Sequence, residues 1–114
     1  MAATIRVRGG AVVVFETRIF ELAADPDGYG LDADEAAAYH LANRCYRDGR
    51  LTVPDTAAER EMLARLFTDV SNAEDGPAED QSLDAEARRS ARSSRDSMMG
   101  LATKLWYSVE GGEI

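Results

Sequence analysis

Residues 32–72 read DADEAAAYHLANRCYRDGRLTVPDTAAEREMLARLFTDVSN, and they predict two amphipathic helices joined by a short extended connection. In the second helix, apolar residues recur at intervals of three and four, which places them on one face of an α-helix. These residues are Ala58, Met62, Leu63, Leu66, Phe67 and Val70. An apolar face of this kind must be covered, so the remaining chain has to supply the element that covers it.

The first helix of the pair is predicted to begin with Asp32 or Asp34 as N-cap and to end at Gly49. An aspartate at this position accepts hydrogen bonds from the free N–H groups of the first turn, and glycine is the common residue just past a helix end. Its inner face would consist of Ala38, Leu41, Ala42 and Cys45. Residues 51–53 are predicted to be extended, because Pro54 disfavours the α conformation before it.

Residues 4–22 are predicted to be β structure and to form a β-hairpin; alternatively, its second arm ends near Thr17 and residues 18–24 form a short helical turn or a further strand. Ile5 and Val7 alternate with arginines, and a β-branched run follows the turn dipeptide Gly9-Gly10. Because an isolated two-stranded hairpin is only marginally stable in water, we expect it to pack on the helices.

The C-terminal third of the chain is predicted to contain a linker and one more helix. Residues 74–82 are acidic and contain Gly and Pro, which indicates an exposed linker, and residues 83–110 are predicted to be helical. Only alanines are available for apolar contact in residues 85–97, so this half of the helix is expected to project or to be held by a partner.

The predicted fold class is therefore α+β. An N-terminal β-hairpin packs on a helical pair in residues 1–73, and a C-terminal third helix follows the linker.

Length, charge and cysteine content restrict the function further. The chain has 114 residues and a formal net charge of -8, from 21 acidic and 13 basic residues. This size suits a single domain, and the acidic surplus disfavours a general affinity for nucleic acid or anionic membranes. A single cysteine cannot form an internal disulfide, and the longest apolar run is too short to cross a bilayer. We therefore expect a cytoplasmic protein that does not enter membranes.

The residues suited to catalysis do not form a recognisable constellation. His40 is the only histidine and Cys45 the only cysteine, and five residues of helix separate their directions by roughly 140°. A nucleophilic pair needs thiol and imidazole within hydrogen-bonding distance. We therefore predict no catalytic residues, no enzymatic activity and no cofactor.

The loop at residues 25–35 partly matches a calcium-binding loop. Asp25, Asp27 and Gly30 occupy the first, third and sixth positions of that pattern. Tyr29 stands at the fifth position, and Glu35 falls one residue short of the bidentate ligand. An ordinary Asp- and Gly-rich turn explains the same residues, so no metal site is predicted.

An arginine-rich stretch in the C-terminal helix supports one hypothesis for function. Arg88, Arg92 and Arg95 share a helix face and Arg89 lies beside them, an arrangement that can bind the phosphates of a nucleic-acid backbone. The alternative is structural, because six acidic residues at 74–86 can neutralise these arginines within the chain or across a dimer. A nucleic-acid-binding regulator is therefore the second hypothesis.

The leading hypothesis is a non-enzymatic protein–protein interaction or assembly subunit. It rests on apolar surface that a small hairpin cannot cover, and Met and Trp near a helix end suit an interface. The predicted partner-binding residues are Met98, Leu101, Leu105 and Trp106. The partner would be another protein or a second copy of the chain, and small acidic subunits of this kind are typical of the accessory proteins of viruses and mobile elements.

Overall fold

The computed structural model describes residues 3–109 and residue 111. Helices account for 69% of it, and a three-stranded antiparallel sheet completes a fold that agrees with the predicted α+β class. In chain order the elements are β1 (Thr4–Arg6), α1 (Gly10–Val14), a π-helical turn (Phe15–Ile19), α2 (Phe20–Ala24), α3 (Ala33–Cys45), β2 (Tyr46–Arg47), β3 (Arg50–Thr52), α4 (Ala57–Ala73), α5 (Asp75–Glu79) and α6 (Ala85–Val109).

The two longest helices, α4 and α6, pack against each other in antiparallel orientation. The Ser71 hydroxyl donates to the Arg95 carbonyl oxygen at 2.8 Å, and the Trp106 indole N–H donates to the Thr68 hydroxyl at 3.2 Å. On α6 the buried residues recur at alternating intervals of three and four, the spacing of a helix seam that packs along one partner. They are Ala91, Ser94, Met98, Leu101, Leu105 and Ser108, with Ala102 beside them.

The predicted N-terminal hairpin is wrong, because residues 10–24 are helical throughout. Of the two alternatives for residues 18–24, the structure has the helical turn and not the further strand. The β-branched run favours a strand locally, but its large side chains become buried at helical spacing. The buried residues of this segment are Ala11, Val14, Phe15, Ile19 and Ala23. Packing of one helical face on the core therefore overrides the local β propensity. Only β1 retains the predicted extended conformation.

The π-helical turn keeps the buried side chains of this segment in line. Phe15, Ile19 and Ala23 are four residues apart, and in an α-helix each such step overshoots a full turn by roughly 40°. A π-helical turn takes up an extra residue, which reduces that drift. Phe15 consequently stacks on Tyr46, with ring centroids 4.5 Å apart, and meets Phe67 edge-on at 5.5 Å.

The hairpin of this fold lies at residues 46–52. β2 and β3 are joined by Asp48 and Gly49, both with positive φ (49° and 80°), as a two-residue type I′ turn requires. β3 is the central strand, and β1 adds to its other edge with Ile5 opposite Leu51. The predicted extended connection is confirmed, whereas the first helix of the pair ends at Cys45 and not at Gly49.

The predicted helices of the central pair and of the C-terminus are confirmed. α3 begins after Asp32, whose carboxylate accepts the Glu35 N–H at 2.8 Å, while the Glu35 side chain accepts the Asp32 N–H. α4 begins after Thr56, whose hydroxyl accepts the Glu59 N–H at 3.2 Å. α6 covers Ala85–Val109 of the predicted 83–110, and residue 110 lies outside the described residues.

Residues 74–82 are not an exposed linker along their whole length. They contain α5, in which Ala78 is almost fully buried. Arg95 of α6 lies 3.4 Å from a carboxylate oxygen of Asp75 and 3.6 Å from one of Glu79, so charge attraction supports α5 on α6. The first half of α6 therefore does not project, because α5 and α1 both contact it.

A close approach between α1 and α6 depends on a glycine. The Gly10 N–H donates to the Ser93 hydroxyl at 3.1 Å. A Cβ atom at Gly10 would lie 2.5 Å from the backbone nitrogen of Ser94, too close for any side chain. The preceding Gly9 has a φ of 58°, which glycine adopts without strain. These two glycines therefore turn the chain from β1 into a helix that lies directly on α6.

We predict that Gly10→Ala lowers the free energy of unfolding by about 1–3 kcal/mol, the usual range for overpacking a tight contact. Urea denaturation followed by circular dichroism measures the change. Gly76→Ala is the matched control, because no atom lies within 4 Å of a Cβ there and its φ is not positive. It should leave stability unchanged or raise it by up to about 1 kcal/mol. Equal stability of the Gly10→Ala protein and the wild type would contradict the described contact.

Candidate functional site

A groove runs between α3 and α4, beside the π-helical turn. Its volume is about 500 Å³, within the range of roughly 300–1,000 Å³ typical of ligand pockets. We call it the α3–α4 groove. Its lining residues are Arg18 from the π-helical turn; Asp34, Glu35, Ala38 and Tyr39 from α3; and Ala58, Glu61, Met62, Arg65, Leu66, Asp69 and Val70 from α4.

The floor of the groove is apolar and its rim is charged. Leu66, Val70 and Tyr39 are buried side chains whose outer edges form the floor, and Met62 is half-buried among them. The rim carries four carboxylates and two guanidinium groups, which gives a net charge of −2. Apolar contact with charged groups at the margin is the composition of a surface that receives an amphipathic segment.

Two carboxylates of the rim have neither an ion-pair nor a hydrogen-bond partner among the described residues. Glu61 pairs with Arg65 at 3.0 Å, and Glu35 belongs to the N-terminal cap of α3. Asp34 and Asp69 are exposed, and neither forms an ion pair within residues 3–109. These two carboxylates face the groove from α3 and α4 respectively, so both of its long walls offer an acidic group to a ligand.

The side chains of α4 connect the groove to Trp106. The Arg65 guanidinium lies 5.7 Å from the centroid of the Trp106 ring, within the distance of a cation–π interaction. Trp106 also donates to Thr68, whose own hydroxyl donates to the Ala64 carbonyl oxygen at 2.7 Å. A ligand that moves Arg65 would therefore change the surroundings of the only tryptophan in the chain.

The predicted partner-binding residues lie mainly in the core. Met98 and Leu105 have no exposed surface and Leu101 is 4% exposed, because α4 covers this face of α6. Trp106 alone is half-buried. The chain itself therefore covers three of the four residues on which the interaction hypothesis was based. Binding of a partner by these four residues stays a prediction.

Of the four arginines predicted to bind phosphates, two contact other side chains of the chain and two are exposed. Arg95 is held by Asp75, Glu79 and Asp96, and Arg88 donates to the Gln81 side chain at 2.9 Å. Arg89 and Arg92 are exposed. Neutralisation within the chain, the structural alternative, thus accounts for Arg95. Phosphate binding by the exposed pair stays a prediction.

His40 and Cys45 lie on α3 in different environments. His40 is exposed, whereas Cys45 is half-buried against the core. Burial raises the pKa of the Cys45 thiol and Glu59 raises it further, while Arg44 lowers it in part. Since the thiolate is the nucleophile, a raised pKa makes Cys45 less reactive at neutral pH than an ordinary cysteine.

The loop at residues 25–35 uses its carboxylates for local structure. The Gly28 N–H donates to Asp25 at 3.1 Å, and Asp32 and Glu35 form the reciprocal cap of α3. No three His, Cys, Asp or Glu side chains within residues 3–109 converge as a metal site would require.

Comparison of the chain with protein-family models, with curated proteins and with solved structures found no match. In the described part of the chain, no helix has the length and apolar character needed to cross a membrane.

The α3–α4 groove could be predicted only in part from the sequence. The apolar residues of α4 span a wider arc of the helix than one neighbouring helix covers. That width indicates that α4 contacts or forms another surface besides its interface with α6. Leu63 and Phe67 are fully buried in the core, whereas Ala58 and Met62 line the groove. The opposite wall comes from α3 and the π-helical turn, whose positions depend on tertiary packing.

We predict that Cys45 reacts slowly with iodoacetamide in the folded protein. The raised pKa lowers the thiolate fraction at any given pH, so the reaction rate should rise at a higher pH than for an ordinary cysteine. Mass spectrometry of samples quenched at successive pH values measures this rate. The same chain unfolded in urea is the control and should show the ordinary pH dependence. Equal pH midpoints in the two states would contradict the burial of Cys45.

Proposed function

We propose that the chain is a non-enzymatic protein–protein interaction subunit that binds a basic amphipathic helix of a partner protein in the α3–α4 groove. The observation that carries this proposal is the apolar floor of the groove between two acidic walls. The class of protein is a small cytoplasmic accessory subunit, of the kind that viruses and mobile elements encode.

Charge complementarity supports a basic partner. Asp34 and Asp69 are the rim carboxylates that make neither an ion pair nor a hydrogen bond in the described chain, and they stand on opposite walls. Lysine or arginine side chains along both edges of a bound helix would meet them, and the overall charge of -8 would speed the encounter. Of the basic groups of the rim, Arg65 is already paired with Glu61, and Arg18 would meet an acidic residue on the bound segment.

The apolar part of the contact would centre on Met62. Its flexible thioether side chain is half-buried between Leu66 and Ala58 and can adapt to different apolar side chains. Leu66 and Val70 beneath it are held by the core, so the floor is formed before a partner arrives. A groove that is already formed avoids part of the ordering cost of binding.

α4 has the position that this function requires. One face of the helix packs on α6 and the adjacent face forms the wall of the groove. The groove is therefore built on one of the most firmly packed elements of the fold, which favours a defined binding geometry.

We predict that a Lys- and Leu-rich amphipathic helical peptide without tryptophan binds the chain and changes the fluorescence of Trp106, because Arg65 lines the groove and lies over the indole. The double variant Asp34→Lys with Asp69→Lys should weaken this binding by about tenfold or more, since two attractive contacts become repulsive. Titration at low salt measures the dissociation constants.

The matched control is Asp27→Lys with Glu86→Lys, which makes the same change in net charge at exposed positions outside the groove. Glu86 occupies the first turn of α6 as Asp34 does in α3, so the effects on the helix dipole are similar. Weakening by the control as strong as that by the groove variant would contradict a specific site. Light scattering behind a sizing column tests whether a second copy of the chain occupies the groove. A stable oligomer at both low and high salt that is lost in the groove variant would support the second copy as the occupant instead.

A further inference from the structure

A second pocket lies between the N-terminal strand segment and the outer face of α6, and it shares no residue with the α3–α4 groove. We call it the basic pocket. Its volume is about 390 Å³. It is lined by Arg6 and Arg8 from the N-terminal segment and by Ser97, Gly100, Leu101 and Lys104 from α6.

The local structure brings these cations together. Side chains alternate between the two sides of an extended segment, so the burial of Ile5 and Val7 leaves Arg6 and Arg8 on the same outer side. The lining residues on α6 stand at positions 97, 100, 101 and 104. Separations of three, four and seven residues from position 97 place all four on one helix face. Buried Leu101 forms the base. Two arginines and the only lysine of the chain consequently border one concavity.

The positive charge of the basic pocket is not compensated by the described residues. Its lining contains three cations and no carboxylate. No ion pair formed within residues 3–109 involves any of the three. The neighbouring Asp96 carboxylate is engaged by the Arg95 guanidinium at 3.0 Å. In a chain with 21 acidic residues, three cations that border one cavity and form no ion pair with the described residues indicate a site for an anion.

Gly100 is the second feature of the basic pocket that points to a ligand. Glycine inside a helix is destabilising relative to alanine. The packing at Gly100 does not require it, because no atom lies within 4 Å of a Cβ built there and its φ is not positive. The absence of a side chain opens the wall of the pocket between Ser97 and Lys104, so a ligand can approach the helix backbone closely.

We propose that the basic pocket binds an anion with two adjacent phosphoryl groups. The planar guanidinium groups of Arg6 and Arg8 can each donate two hydrogen bonds to one phosphoryl group, and Lys104 supplies a compact positive charge. The Ser97 hydroxyl is a further donor and makes no hydrogen bond within the described chain. Three positive charges match the charge of a diphosphate near neutral pH. The phosphoryl groups would belong either to a soluble diphosphate compound or to the backbone of a nucleic acid.

The test follows the backbone amides of Ser97 and Gly100 by two-dimensional NMR during titration with inorganic pyrophosphate and, separately, with a short single-stranded oligonucleotide. Both titrations use the intact chain at fixed ionic strength. Saturable shifts at these amides with pyrophosphate assign the pocket to soluble diphosphates. Shifts with the oligonucleotide alone assign it to a nucleic-acid backbone. No saturable shift with either probe at millimolar concentration overturns the proposal.

Two variants and one control locate the binding. Lys104→Ala should weaken binding by about tenfold or more, the effect of losing a hydrogen bond to a charged group. Gly100→Ala should also weaken it, although the same change should raise the thermal unfolding midpoint. Arg47→Ala is the control, because Arg47 is an exposed cation that lies outside the pocket and outside the predicted phosphate-binding arginines of α6. Equal weakening by the Arg47 and Lys104 variants would overturn the proposal by showing only an effect of net charge. Circular dichroism verifies that every variant is folded.

Discussion

The rest of the structure depends on the packing of α6 against α4. α1 and α5 cover the first half of α6. α6 is 25 residues long and buries small or apolar side chains along its whole seam. At its first half the seam consists of Ala91 and Ser94, which cannot fill a wide gap. The neighbouring elements must therefore approach closely, and Gly10 permits that approach where α1 meets Ser94. The helical conformation of residues 10–24 is thus linked to the small residues of α6.

The same packing positions both candidate surfaces. α4 buries one face on α6 and presents the adjacent face to the α3–α4 groove, so the wall of the groove is supported by the core. α6 likewise buries Leu101 while its outer face presents Gly100 and Lys104 to the basic pocket. The chain therefore separates its charges into an acidic groove and a basic pocket. A basic helix and a phosphate-bearing anion could bind at the same time, because the two lining sets share no residue.

Helical periodicity and capping residues made α3, α4 and α6 predictable from the sequence, because each of these signals acts within a few residues. The segment 10–24 was not predictable in this way. Its β-branched residues favour a strand, and only contacts with distant residues such as Tyr46, Phe67 and Ser94 make the helix preferable. The hairpin at residues 46–52 had a usable signal in Asp48-Gly49, since Asp-Gly is a typical type I′ pair, but the same glycine also suits a helix end. The candidate sites were the least predictable, because each combines residues from elements that are distant in the sequence.

Amide hydrogen exchange, measured residue by residue on the intact chain, tests most directly whether residues 10–24, α4 and α6 form one cooperative unit. We predict that the buried helical amides of residues 14–23 and 91–98 exchange nearly as slowly as those of residues 63–71, because all of them open only with the core. The contradicting result would be rapid exchange in residues 10–24 and in the first half of α6, with protection confined to α4 and the second half of α6. That outcome would mean that α6 is not covered along its length.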